Sequence, residues 1–271
     1  FSIQALPFNS GANRYFMTGH DGGNLIYSSE QVPNNSVNIQ RLERIWRVDR
    51  QSNVGAITFT LNANELPPAP SGYDIPVMLI DNQSLNFPNF ALSSTQVFEI
   101  EDLGGGFYEF EYNITDKDFF TFGWARKEVS FTSATGSSFE LDPPPPASNK
   151  TVQVRLNYKP LSGSPPVYVD YQFTDGTALN GSDYQFTPLP NGAFIGSGSQ
   201  TGSIPFQIIN DDIAEPESIE NFTISLIAGP NTGSTEIGAQ SNLVYSIFDD
   251  DPDPSFSFQT DVTPNIFEGT Q

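Results

Sequence analysis

Residues 167–186 read VYVDYQFTDGTALNGSDYQF. Val167, Val169, Tyr171 and Phe173 alternate with other residues, the period of two that sets one face of a strand in a core and the other in water. The strand runs into Asp175-Gly176, and Asn180-Gly181 follows; both pairs are turn formers. The same alternation recurs on either side. Ile57, Phe59 and Leu61 show it, as do Tyr108, Phe110 and Tyr112, then Val152, Val154 and Leu156. Ile204, Phe206 and Ile208 follow, and Phe222, Ile224 and Leu226 close the series. Gly22-Gly23-Asn24, Pro67-Pro68 and Gly104-Gly105-Gly106 separate these runs. Only Val37 to Trp46 has a helical look, and Ile45 to Val48 reads equally well as a strand. Short strands spaced by Gly and Pro predict an all-β chain of β-sandwiches.

At 271 residues the chain is too long for one such sandwich and suits two in tandem, each with its own core. One boundary falls near Arg126, after the closing-strand pattern Phe119 to Trp124 and before Val129-Ser130-Phe131. Another follows Asp251. The stretch Pro254 to Glu268 echoes Glu128 to Glu140, which reads as the first strand of a further repeat. The expected units are therefore 1–126, 127–252 and 253–271.

Thirty-two acids face 11 bases, a net charge of −21. That sign argues against nucleic acid and anionic membrane surfaces and favours hard cations. The excess is uneven: residues 1–126 carry 14 acids and 7 bases, residues 127–271 carry 18 and 4. A cation site is thus expected in the second half. With no cysteine, disulfides, zinc–thiolate sites and thiol catalysis are excluded. No apolar run approaches the roughly 20 residues of a membrane span. The first residue is Phe1, so the sequence is read as a processed or excised segment.

The acids of the second half come in clusters beside strands. Asp175 and Asp183 flank one loop, Asp211-Asp212 with Glu215 and Glu217 another, Glu220 follows, and Asp249-Asp250-Asp251 ends the last strand. Any single cluster reads first as a solvated loop. Together they crowd carboxylates that repel one another at neutral pH, and calcium, which takes six to eight oxygens, relieves that repulsion.

The ordered pattern DGTA–GSDY, a strand ending in DD-I-x-E with E-N-F next, and a closing strand into DDD resembles the Calx-β domain over about residues 127–252. The resemblance implies a seven-stranded immunoglobulin-like sandwich with calcium ions clustered at one end. Its implied metal residues are Asp183, Asp211, Asp212, the carbonyl of Ile213, Glu215, Glu220, Asp249, Asp250 and Asp251, with Glu140 matching the acid near the family's start. Asn210 stands where exchanger domains carry Asp, and Pro216 with its neighbours lengthens the loop, so Glu217 competes with Glu220 as ligand.

In the first half, Gly19 to Gly23, Leu42 to Val48 and Phe119 to Trp124 resemble a β-rich domain without known activity from long exported proteins of Bacteroidota. These resemblances together imply a secreted or cell-surface adhesin or filament segment. Its partners would be calcium, adjacent modules of the same chain, surface glycans or other cells, and further copies in a filament. Trp46 and Trp124 read as core before they read as sugar platforms. His20, the sole histidine, has no second histidine or cysteine to complete a metal site. Gly-x-Ser-x-Gly, Gly-Lys-Ser/Thr and His-Glu-x-x-His are all absent, so no enzyme is expected. A carbohydrate-binding module is the competing class.

Overall fold

The computed structural model describes residues 15–51, 55–82, 88–92, 94–140, 147–210 and 219–251. Its first ten strands are β1 (Tyr15–His20), β2 (Tyr27–Ser28), β3 (Ile39–Leu42), β4 (Trp46–Gln51), β5 (Ile57–Asn62), β6 (Ile75–Asp81), β7 (Gln96–Glu99), β8 (Glu101–Gly104), β9 (Phe107–Tyr112) and β10 (Phe119–Ala125). Seven form one sheet in the order β1-β4-β10-β3-β2, with β6 on β10 and β7 on β6; β5, β9 and β8 form a second. Strand β10 is central: β6 pairs along its whole length, while β4 and β3 share its other edge. That position explains its sequence. A strand covered on both faces has no polar side to show, and every residue of Phe119–Ala125 except Trp124 is buried. The two sheets meet through aromatic rings: Phe59 of β5 lies 5.1 Å from Phe120, on which Trp46 stacks at 5.8 Å. The segment with the helical look is β3 and the start of β4, whose apolar residues Ile39, Leu42, Trp46 and Val48 are all buried.

The chain leaves β10 at Ala125 and enters β11 (Glu128–Phe131) after two residues. Then follow β12 (Thr135–Phe139), β13 (Ala147–Leu156), β14 (Val167–Asp175), β15 (Tyr184–Gln185), β16 (Ala193–Ile195), β17 (Thr201–Ile209), β18 (Ile219–Ile227), β19 (Glu236–Ile237) and β20 (Asn242–Phe248). They make one sheet curled on itself, β12-β20-β18-β14-β16-β17-β13-β11-β19, with β15 on β17. The fold-over is at β14, whose Val167–Val169 pair with β16 and whose Asp170–Asp175 pair with β18. Facing layers then interdigitate as in a sandwich: Phe206 of β17 lies 5.5 Å from Phe222 of β18 and 4.9 Å from Tyr245 of β20. The N-terminal strand changes layer, β11 lying beside β13 and β12 beside β20. The described part of the chain is thus all-β, two β-sandwiches in tandem.

At the fold-over, Asp170 ties down the loop after β18. Its carboxylate accepts hydrogen bonds from Asn231 N (2.9 Å), Asn231 Nδ2 (2.7 Å) and Thr232 N (3.3 Å). Burial raises the Asp170 pKa, but the hydrogen bonds from Asn231 and Thr232 outweigh it and hold the carboxyl below its ordinary value. A carboxyl lowered in the folded state stabilises above its unfolded pKa of about 3.9, and that contribution is lost as pH falls through the lower folded value. Asp170→Asn should therefore cost about 1 kcal/mol at pH 7 and flatten the decline in stability below about pH 4. Urea titrations of both proteins across pH 2–7 check this; an unaltered acid limb in the variant would contradict it.

Candidate metal centre

The strand ends decide where the acids go. Strands β12 and β20 are parallel, with Phe139 opposite Phe248. Two parallel strands about 4.8 Å apart release their next residues side by side. Glu140 therefore leaves beside Asp249, and the Glu140 amide still donates to the Phe248 carbonyl at 3.0 Å. Asp251 folds back toward Asp249, its amide donating to Asp249 Oδ1 at 2.8 Å. Asp249 and Asp251 are half-buried, whereas Asp250 between them is exposed.

Glu140, Asp249 and Asp251 each offer a carboxylate oxygen within 4.8 Å of the others. Glu140 is only 2% exposed. The spacing suits a hard cation: ligands on calcium at about 2.3–2.6 Å can stand at most about 5 Å apart across the ion. Three carboxylate oxygens without nitrogen or sulfur favour a hard cation such as calcium over softer metals. The residues present fit such an ion.

Register brings the other acids to the same end. Ala147, where β13 starts, pairs with Ile209, where β17 stops, and Asp175, where β14 stops, pairs with Phe222 near the start of β18. The Ile209 amide donates to the Asp183 carbonyl at 2.9 Å. Among the described residues, Asp183, Glu220 and Asp250 lie at this end but outside the three-carboxylate group. Asp211, Asp212, Ile213 and Glu215 lie outside the described residues, as does the repeat-like stretch 254–268.

The loop motif that drew attention to this end has a structural job. Asp183 Oδ2 accepts from the Leu179 amide at 2.6 Å, and Asp175 Oδ1 accepts from the Asn180 amide at 3.1 Å and the Tyr184 hydroxyl at 2.5 Å. Tyr184 is fully buried; burial first, then Asp175 beside it, pushes its phenol pKa well up. Gly176 is needed for close approach: a Cβ there would sit 2.3 Å from the Asn221 carbonyl oxygen. These contacts tie the loop to Asn221 of β18. The signal that sequence reading lacked is the β12–β20 pairing, which joins residues more than a hundred positions apart.

In the first half, Trp46 is buried and Trp124 packs edge-on against Tyr108 at 5.8 Å. His20 Nδ1 accepts from the Gly22 amide at 3.0 Å. Asp81 is buried and accepts from the Asn89 amide at 2.7 Å.

Part of this chain is similar to sodium/calcium exchangers. Sodium/calcium exchanger 1 of Bos taurus is 34% identical over 113 residues, and that of Felis catus 36% identical over 113 residues. Each match covers 36% of this chain and spans 11% of the exchanger. Among solved structures, the apo-form Calx CBD1 domain is 21% identical, covering 46% of this chain and 99% of that one, with a TM-score of 0.36. CBD12 from CALX1.2 is 20% identical, covering 46% of each chain, with a TM-score of 0.35. Residues 7–118 match a domain of unknown function, DUF8202.

Proposed function

We propose that residues 127–252 form a calcium-binding module of Calx-β type with a structural, non-catalytic role. The observation that carries this is the convergence of Glu140, Asp249 and Asp251 at one sandwich end, with Glu140 almost wholly buried. The partial similarity to sodium/calcium exchangers supports the same ion. The described residues include no helix long and apolar enough to cross a membrane. On this reading the chain is a load-bearing segment of a secreted or cell-surface repeat protein, an adhesin or filament. Calcium from outside the cell fixes the acidic end of its second unit. Bound calcium supplies charge neutralisation there; the chain's own residues supply the oxygens and the rigid loops behind them.

Isothermal calorimetry of the full chain titrated with calcium tests the reading. Saturable heat at millimolar calcium or below is expected, with magnesium a weaker competitor because it demands a tighter octahedral shell. No heat at millimolar calcium, together with no gain in melting temperature, would end the calcium reading.

A further inference from the structure

The end of the second sandwich opposite the acids is occupied by the first half. Strand β13 runs from Ala147 at the acidic end to Leu156 at the other, about 30 Å at 3.3 Å per residue. Just beyond Leu156 the two halves join by backbone. Lys159 N donates to the Val97 carbonyl at 2.8 Å and Glu99 N to the Lys159 carbonyl at 2.9 Å, a parallel bridge that covers the free edge of β7. Side chains repeat the link in both directions. Glu99 Oε2 accepts from Leu161 N (3.0 Å) and Ser164 Oγ (2.5 Å). Glu128 Oε2 of the second half accepts from Ser36 Oγ (2.8 Å) and Asn38 Nδ2 (2.9 Å) of the first.

The two-residue connection is itself bound on both sides. Arg126 N donates to the Asn38 carbonyl at 2.9 Å, and the Arg126 carbonyl accepts from Asn157 Nδ2 at 3.0 Å. The Arg126 guanidinium lies over the Tyr73 ring at 4.5 Å. A flexible linker would leave such backbone groups to water. Beneath this polar seam the apolar core does not stop. One cluster of buried residues runs from Val77, Phe90 and Val97 through Val129, Leu156 and Tyr158 into the second sandwich. Tyr158 is 2% exposed, and its phenol pKa is raised by burial and then by Glu99 and Asp74 of the first half. Two tandem domains with fully separate cores, as the chain length implied, would not share these residues.

We infer that the two halves fold and melt as one cooperative unit, the first half being an obligate cap on the non-acidic end of the second sandwich. Separating them exposes apolar surface on both faces and leaves Glu99, Glu128 and Asn38 to find new partners. The apolar residues at the seam are shared by both halves, while a second cluster around Trp46, Phe59 and Phe120 lies within the first half.

Both tryptophans, Trp46 and Trp124, lie in the first half, so their emission reports only on that half. Ile224, fully buried on β18, belongs to the second. In the full chain, Ile224→Ala should lower the midpoint of the tryptophan-monitored thermal transition by roughly 8 °C, and far-UV circular dichroism should give the same midpoint. A tryptophan midpoint that stays at the wild-type temperature while circular dichroism develops an earlier transition would overturn the inference. Should Ile224→Ala fail to fold, Ile224→Val serves with a shift of roughly 3 °C and the same two outcomes. The test involves no calcium and so stands or falls apart from the metal reading.

Discussion

Glu140→Gln should abolish the calcium-dependent rise in melting temperature while leaving the chelated protein as stable as wild type or slightly more so. At calcium 100-fold above its dissociation constant, binding to the folded state alone adds about 2.7 kcal/mol, which for a chain of this size is a rise of about 5–10 °C. Glu140 is the buried member of the three-carboxylate group, so its charge is the least screened by water. Glutamine keeps the shape and removes that charge. The ion then loses a ligand, and in chelator Asp249 and Asp251 lose a repulsive neighbour. Differential scanning calorimetry of both proteins, each in calcium and in chelator, checks the sign of both effects. A purely structural Glu140 would give a different pattern, with the variant less stable by the same amount under both conditions. That outcome would remove Glu140 from the site.

Phe222→Ala should cost about 3–5 kcal/mol, the range for deleting a large buried side chain. Phe222 is fully buried. Its ring stacks on Tyr184 at 3.9 Å and lies 5.8 Å from Phe173 and 5.5 Å from Tyr245, with Phe206 edge-on at 5.5 Å. It is the ring through which both layers and the Tyr184 loop touch, and each such pair adds roughly 0.5–1.5 kcal/mol beyond burial. Alanine leaves a cavity bounded by rings held in place by their own strands, so little collapse can refill it. Urea denaturation should show a large fall in midpoint at an unchanged slope. A loss below about 1 kcal/mol would mean that the ring is not packed as described.

Much of the fold was legible because alternation is a local signal. Ile57, Phe59 and Leu61, then Val152, Val154 and Leu156, then Ile204, Phe206 and Ile208, all point inward as their period demanded. Strand β12 was not legible: Thr-Gly-Ser-Ser-Phe alternates only between half-buried and exposed, because one edge alone is paired and its larger side chains face solvent. The site was legible as a set of acids on strand-flanking loops, and illegible as geometry. Asp249, Asp250 and Asp251 were expected together as ligands; Asp249 and Asp251 stand with Glu140 in the three-carboxylate group, and Asp250 is exposed beside them. Asp183 was expected as a ligand, and one of its carboxylate oxygens also accepts from the Leu179 amide within its own loop. The shared core of the two halves left no local trace, since a buried residue has the same sequence signature whichever half buries it.

The parallel pairing of β12 with β20 has a mechanical consequence. The chain enters the second sandwich at Glu128, at the capped end, and leaves at Asp251, at the acidic end. Tension between these points slides β12 and β20 along each other, and the five register pairs from Thr135–Val244 to Phe139–Phe248 carry it in shear. Strands loaded this way part all at once instead of unzipping one bond at a time. Pulled between these points, the sandwich would resist extension by the same contact that gathers its acids, with an ion between Glu140 and Asp249 acting as a rivet at the end of the sheared pair.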